Sequence, residues 1–283
     1  KFNIPIVVKA DGLAAGKGVL ICQSKKEAEE AIINIMDKKI FGDAGNTVVI
    51  EEFLSGTEAS LLCFVDGNKM IPMESARDYK KAYDYDKGLN TGGMGCFSPN
   101  TIFNEELNKY IKENILDRTM EGFLNEDIVY KGVLFIGLMI ENHQAKVLEY
   151  NARFGDPETE VVLPRLKSDL IDIMLKCIEG NLKEDDLLWN QDKCVTVVLA
   201  SGGYPESYEK GKVITGLEDV DDDIVIFHGG TKISGDKIMT DGGRVLAVTA
   251  MGRTLQEARN KVYKNISKIH FDKIQYRTDI AKI

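Results

Sequence analysis

A chain of 283 residues, 43% hydrophobic and 29% charged, is long enough for a large core and for two or three domains, and no apolar run approaches the length of a membrane span. Its net charge of −9 argues against a broad cationic surface for nucleic acid, so an anionic substrate requires a local basic site. Five widely spaced cysteines in mostly apolar surroundings point to reduced thiols in the cytoplasm, the three histidines stand apart from them without a zinc pattern, and no nucleophile-elbow signature is present. The chain opens without an initiator Met or signal-type segment, already entering a strand, and so reads as a fragment.

Pro5 to Lys9 predicts a short β-branched strand, followed by a glycine-rich loop, Ala10 to Val19, and a second strand, Leu20 to Gln23. Glycines let backbone N–H groups approach an anion, and Lys9 and Lys17 flank this loop. It is not a Walker A loop: Lys17 stands where that motif needs Gly, and Gly18 where it needs Lys. A phosphate here would lie under a strand-loop-strand flap; a flexible β-turn is the competing reading. Ser24 and Glu27 form a capping-box pattern at the start of a helix running to Ile35. Phe41 to Asn46 reads as a loop, and Thr47 to Leu54 as a buried strand ending at Glu51 and Glu52, acids that suit a sugar hydroxyl, an amine or simply a solvated turn. Glu58 to Val65 is the next strand, and Asp66-Gly67 turns it into Lys69 to Met73.

From Glu74 to Pro99 the sequence reads as a long polar loop, passing through Arg77-Asp78-Tyr79-Lys80 and Asn90-Thr91-Gly92-Gly93-Met94-Gly95. Three glycines in four residues favour contact with a small ligand. Glu105 to Phe123 carries helical periodicity, and Gly132 to Ile140 with Ala145 to Asn151 forms a core hairpin. That hairpin delivers Glu149, Asn151 and Arg153, which at a spacing of two would project from one strand face. A carboxylate beside an amide carbonyl suits Mg²⁺, and an arginine fork suits phosphate or carboxylate; a strand edge with a solvated ion pair is the alternative. Pro157 suits the first turn of a helix, Leu166 to Ile178 is a further helix ended by Gly180-Asn181, Lys183 to Asp186 is a solvated boundary, and Trp189 reads as ordinary packing. Cys194 to Ile283, with strands at Cys194 to Ala200, Ile224 to Phe227 and Arg244 to Ala250 and a closing helix from Thr254 to Ile269, reads as a separate small α+β unit.

Several strings, in this order, carry a resemblance: Lys9-Ala-Asp-Gly-Leu-Ala-Ala-Gly-Lys-Gly-Val19, Asn90 to Gly95, Arg153-Phe-Gly-Asp156-Pro157-Glu158-Thr-Glu160, Gly203-Tyr-Pro205, Phe227-His228 and Gly242-Gly-Arg-Val-Leu246. The chain resembles the ATP-grasp ligases and, within them, the phosphoribosylamine glycine ligase family, over essentially its whole length. The resemblance implies an α+β ATP-grasp fold, two α+β subdomains clasping ATP, at 1–58 and 59–190, followed by a small C-terminal α+β domain at 191–283. It implies that ATP phosphorylates glycine and that the amine of 5-phosphoribosylamine attacks the acyl phosphate, a step of de novo purine biosynthesis performed by a cytoplasmic monomer without nucleic-acid or membrane partners.

Carried over by the resemblance, Lys9 contacts ATP phosphates, and Gly16, Lys17 and Gly18 close over them, Lys17 in a catalytic role. Glu51 and the backbone near Leu54 meet adenine, Glu58 the ribose. Glu149 and Asn151 hold Mg²⁺, with Mn²⁺ a substitute, and Arg153 steadies the transferring phosphoryl group or the acyl phosphate. Asp78, Lys80, Asn90, Gly92, Gly93, Met94, Gly95, Arg153 and Asp156 face the substrates. Arg77, Tyr79 and Leu89 stand where the family usually has Gln, His and Pro, and the family's N-terminal doubly wound domain is absent from the sequence. The competing readings are another ATP-grasp carboxylate-amine ligase and a non-catalytic nucleotide-binding fragment.

Overall fold

The computed structural model describes residues 3–14 and 18–282 and divides into two compact units, Lys1–Gly56 and Thr57–Ile283. In the first unit, β1 (Ile6–Ala10), β2 (Val19–Cys22) and β3 (Val48–Glu52) form an antiparallel sheet in the order β2-β1-β3. Helix α1 (Lys25–Ile32), extended by one π-helical turn through Asp37, closes a small core of Val8, Cys22, Ala28, Ala31 and Ile35. The Ser24 hydroxyl accepts the Glu27 N–H, while the Glu27 carboxylate accepts the N–H of Gln23, one residue earlier than a capping box pairs. Strand β3 is not buried as its unbroken β-branched run suggests: α1 packs on β1 and β2, leaving Val49 and Ile50 about two-fifths exposed at the sheet edge.

The second unit continues with β4 (Thr57–Asp66), β5 (Met70–Pro72), β6 (Arg77–Asp78), β7 (Lys81–Tyr83), β8 (Lys87–Asn90) and β9 (Gly95–Ser98). Helices α2 (Glu105–Ile111) and α3 (Asp117–Asn125), joined by a π-helical turn, lead to the hairpin of β10 (Lys131–Glu141) and β11 (Gln144–Asn151), then α4 (Thr159–Val162) and α5 (Leu170–Glu179). The remainder holds β12 (Lys193–Ser201), β13 (Ile224–His228), β14 (Thr231–Ser234), β15 (Lys237–Thr240), β16 (Arg244–Gly252), α6 (Leu255–Ile266) and β17 (Ile274–Gln275). One antiparallel sheet runs β11-β10-β4-β5, with α2 and α3 over one face and α4 and α5 sharing a core with the other. A second sheet runs β13-β16-β12-β9-β6, with β17 also on β12 and α6 packed against β12 and β16.

Residues 74–99 are therefore not an irregular loop. They fold as two strands of the second sheet around the β7–β8 hairpin, because Ala76, Tyr79, Met94, Cys96 and Phe97 are apolar and buried. Strand β9 lies against β12, pairing Gly95 with Val197 and Ser98 with Cys194, so the sheet of the C-terminal region is completed by strands from far upstream. Helix α5 starts at Leu170 rather than at Leu166, since Asp169 caps it by accepting the N–H groups of Ile171 and Asp172; Gly180, at φ +79°, ends it. Pro157 sits in the turn before α4 rather than inside it. All five cysteines are free and buried, and among the described residues no helix is long and apolar enough to cross a membrane.

Candidate functional site

Two groups of polar side chains stand out in the second unit. The first is on β11, the edge strand of its sheet. A bulge at Leu148 interrupts the ladder with β10, so that Glu149 lies opposite Gly137 and Asn151 opposite Phe135. Glu149 and Asn151 share a face, and the Asn151 side-chain amide donates to Glu149 Oε1 at 3.1 Å. Arg153 does not extend this row: β11 ends at Asn151, and the Arg153 guanidinium, in the following bend, donates to the Phe154 carbonyl at 2.8 Å. Phe154 then packs edge-on against Phe64 and turns the chain into the body of the unit. The pair on β11 is an all-oxygen donor set of one carboxylate and one amide, as a hard cation requires. Among the described residues no three acidic, histidine or cysteine side chains gather to hold a metal, so these two fit an ion whose other ligands are water and substrate oxygens.

The second group lies deeper, although the Lys80 side chain is 40% exposed. Lys80 Nζ lies 2.9 Å from Asp78 Oδ2, and the Asp78 side chain is only 3% exposed. Glu158 accepts the Ser60 hydroxyl at 2.8 Å and is 2% exposed. Asp78 Oδ1 and Glu160 Oε2 are buried without a hydrogen-bond partner among the described residues. Burial pulls the Lys80 pKa down, but Asp78, with Glu158 and Glu58 adding, carries it above the usual lysine value, so the ammonium stays charged. Burial raises Asp78 against the pull of Lys80 and Arg244. Burial also pushes Glu158 up to about 7, with the Asp78 charge adding, and Glu160 up to about 7, with Asp156 adding.

Arg244 at the start of β16 ties the surrounding turns together. Its Nη1 donates to the Gly92 carbonyl at 2.9 Å, the Asp156 carbonyl at 2.9 Å and the Asp156 carboxylate at 2.8 Å. The Gly92 N–H donates to the Tyr204 hydroxyl at 3.1 Å. Thr91 accepts from Gly93 N–H and donates to the Lys80 carbonyl, so the glycine turn is fastened to the strand carrying Asp78. Gly93 has no room for a side chain: at φ +116°, a Cβ there would stand 2.3 Å from Pro157 Cδ and 2.6 Å from Asp78 Oδ1.

The structure thus gathers Asp78, Lys80, Gly92, Gly93 and Asp156. It places Met94 and Gly95 differently: Met94 is fully buried and its carbonyl accepts the Val198 N–H, and Gly95 packs against the Thr196 carbonyl, so both serve the sheet. Asn90 is exposed, paired with Lys81 at the end of the β7–β8 hairpin. In the first unit, Lys9 and Glu51 form an ion pair across β1 and β3, and the Gly18 carbonyl accepts the Ala10 N–H at the base of its loop. Leu54 is half-buried beyond β3; Gly16 and Lys17 lie outside the described residues. Glu58 belongs to β4 in the second unit, exposed and opposite Met139. Ser60, Glu158, Glu160, Tyr204 and Arg244 were missing from the residues assigned roles by sequence. Glu158 and Glu160 lie inside the Arg153 to Glu160 string and Arg244 inside Gly242 to Leu246, whereas Ser60 is only a polar break in an apolar strand.

The family model for the phosphoribosylglycinamide synthetase ATP-grasp (A) domain matches residues 1–159, and that for the phosphoribosylglycinamide synthetase C domain matches 194–283. The phosphoribosylamine–glycine ligase of Halalkalibacterium halodurans is 47% identical over 279 residues, which cover 99% of this chain and 65% of that protein. The chain thus spans about two thirds of that relative's length. The crystal structure of the phosphoribosylamine–glycine ligase of Thermotoga maritima superposes with a TM-score of 0.87 at 40% identity, covering 98% of this chain and 69% of that one. A biotin carboxylase from Campylobacter jejuni, solved as a β,γ-ATP complex, shares the fold at a TM-score of 0.73 and 13% identity, over 96% of this chain and 59% of its own. With both domain models matched in order and the α+β architecture shared, the chain belongs to the phosphoribosylglycinamide synthetase family and has the ATP-grasp fold.

Proposed function

We propose that this chain is the ATP-grasp and C-terminal part of an enzyme that joins glycine to 5-phosphoribosylamine, giving glycinamide ribonucleotide, ADP and phosphate, as a cytoplasmic monomer in purine biosynthesis. The observation that carries this reading is the meeting of Asp78, Lys80, the Gly92–Gly93 turn and Asp156 around Arg244, since these are positions where the resemblance expects the amino-acid and amine substrates. A carboxylate is a poor acyl donor. In the proposed reaction a glycine carboxylate oxygen attacks the terminal phosphorus of ATP and ADP leaves; the amine nitrogen then attacks the acyl carbon, phosphate leaves and the nitrogen loses a proton. Such a sequence needs positioned charge rather than a protein nucleophile, in keeping with five buried cysteines.

Lys9 and the loop of Gly16, Lys17 and Gly18 would hold the ATP phosphates, with Glu51 and Leu54 toward adenine and Glu58 toward ribose. Glu149 and Asn151 would hold Mg²⁺ or Mn²⁺, which supplies neutralising charge to phosphate oxygens. Arg153, which donates to the neighbouring Phe154 carbonyl, would turn to the transferred phosphoryl group. Lys80, kept cationic by Asp78, would fix a substrate carboxylate or phosphate oxygen.

Replacing Glu149 with alanine should weaken binding of a non-hydrolysable ATP analogue in the presence of Mg²⁺ by about tenfold or more, measured by calorimetry, while stability changes little because the side chain is exposed. Unchanged affinity would remove Glu149 from the metal site. For the reaction itself, phosphate release by the full-length protein should require glycine and phosphoribosylamine together, because an acyl phosphate left without its amine is open to hydrolysis and a productive site closes only when both are bound. Turnover that ignores phosphoribosylamine, or prefers another amino acid, would transfer the chain to a different ATP-grasp carboxylate-amine ligase activity.

A further inference from the structure

Asp78 and Lys80 flank Tyr79, and since side chains alternate along extended backbone, Tyr79 points to the opposite side, into the core of the second sheet. Its surroundings are unusual. The Arg77 guanidinium carbon lies 5.5 Å from the ring centroid and that of Arg277 lies 4.9 Å from it. The Tyr79 hydroxyl accepts the Ala281 N–H at 3.2 Å. Strand β6 is only two residues long and lies at the end of its sheet, where β9 is its ladder partner and the Tyr79 N–H continues that pairing to the Gly95 carbonyl.

Arg277 is 1% exposed, and each of its three guanidinium nitrogens donates a hydrogen bond. Nε and Nη2 grip the two Asp279 carboxylate oxygens at 2.8 and 2.7 Å, and Nη1 donates to Asp86 Oδ1 at 2.9 Å and to the Lys81 carbonyl at 3.1 Å. The neighbouring residues repeat the connection: Asp84 accepts the Thr278 N–H and hydroxyl, and Asp279 accepts the Tyr85 N–H. Tyr263 on α6 anchors the same segment by donating to the Arg277 carbonyl and accepting the Ile280 N–H. One stretch near the end of the chain thus grips both the tip of the β7–β8 hairpin and the back of the strand that presents Asp78 and Lys80.

We propose that Arg277 and Tyr79 are positioning residues: the segment Arg277–Ala281 latches the back of Tyr79 and thereby sets the Asp78–Lys80 pair and the Gly92–Gly93 turn for the amino-acid substrate. This rests on the ligase reading for its consequence, but on the bonds just described for its geometry. An ion pair is useful to a reaction only if its geometry is fixed in advance, and on the substrate side this pair is held by its own contact and by the bonds from Thr91 to the Lys80 carbonyl. The latch supplies that rigidity from behind. It also accounts for Tyr at position 79: a phenol reaches the Ala281 N–H while its ring meets Arg277.

The test uses the full-length protein carrying Arg277→Lys, which keeps the charge and loses the fork, and Tyr79→Phe, which keeps the ring and loses the hydroxyl. Each is made in the parent and in an Asp78→Asn background. Arg277→Lys should raise the KM for glycine about tenfold and leave that for ATP within about twofold, and the glycine effect should shrink below about twofold when Asp78 is already Asn. A purely structural role predicts the same factor in both backgrounds, and that result would overturn the proposal. Hydrogen exchange provides a readout independent of turnover: the Tyr79 and Met94 amides, bonded to the Gly95 and Tyr79 carbonyls, should exchange about tenfold faster in Arg277→Lys, with the β12–β16 ladder unaltered. Unchanged exchange at Tyr79 and Met94 would also refute the latch. Should the parent show no glycine-dependent turnover, the ligase reading falls while exchange still decides the latch; should Arg277→Lys not fold, Tyr79→Phe carries both measurements.

Discussion

Replacing Gly93 with alanine should destabilise the second unit by about 3 kcal/mol or more and lower glycine-dependent turnover by roughly a hundredfold. The new methyl would have to share space with Pro157 Cδ and Asp78 Oδ1, neither of which is the free end of a flexible chain: one belongs to a ring, and the other is the buried oxygen of a carboxylate whose second oxygen is held by Lys80. The backbone at φ +116° adds its own cost for any L side chain. Relief would require the glycine turn to move off the Asp156–Pro157 turn, breaking the Arg244 bonds that join them. Thermal melting with a phosphate-release assay checks both effects. Gly122→Ala is the control: Gly122 lies within α3, a methyl there meets nothing within 4 Å, and the change should stabilise by up to about 1 kcal/mol. Equal melting of Gly93→Ala and the parent would show that the two turns are not held in contact.

Glu158→Gln should flatten much of the fall in stability between pH 5 and pH 8. The Glu158 carboxyl stands at about 7 in the folded chain, raised from 4.5 by burial and then by Asp78, so the folded state holds this proton more tightly than the unfolded state does. Its contribution to stability is therefore complete below pH 4.5 and disappears as pH rises through 7. The largest such contribution is about 3 kcal/mol, from 1.36 kcal/mol per unit of difference. Glutamine carries no proton to lose and retains an oxygen for the Ser60 hydroxyl, so the variant should gain on the parent as pH rises. Urea unfolding at pH 5, 6, 7 and 8 measures the difference. Parallel stability profiles would mean that Glu158 ionises alike folded and unfolded. Glu160, raised to about 7 as well, leaves the variant with a smaller slope of the same sign.

What could be read from sequence was what local rules govern. The strand pair around the glycine loop, the capped helix after Ser24 and the hairpin ending at Asn151 follow from β-branched runs, a side-chain cap and a period of two, and so did the contact between Glu149 and Asn151. Arg153 obeyed the same spacing on paper, but the strand stops before it. Strands β6 and β9 escaped notice because two and four residues carry no periodicity, and their partners lie on β12 or on each other rather than nearby in sequence. Arg244 and Asp156 are likewise 88 residues apart, and no local pattern signals that one clamps the other. Glu158 and Glu160 stood inside a string recognised as specific; their burial, which gives them their chemistry, is a property of the packing around them.

The insertion of β9 beside β12 constrains how such a chain can be made. Gly95–Ser98 leaves the ribosome well before Lys193–Ser201, and at a synthesis rate of about 5 to 20 residues per second it waits roughly 5 to 20 seconds for its partner. During that interval a strand carrying Cys96 and Phe97 has one edge without a ladder, an invitation to pair with another nascent chain. The same dependence limits protein engineering: a cut between the two matched family segments, at 160–193, would leave the ATP-grasp piece with that edge exposed and its glycine turn without Arg244. The two pieces should be recoverable in working form only when expressed together, each serving as the other's folding template.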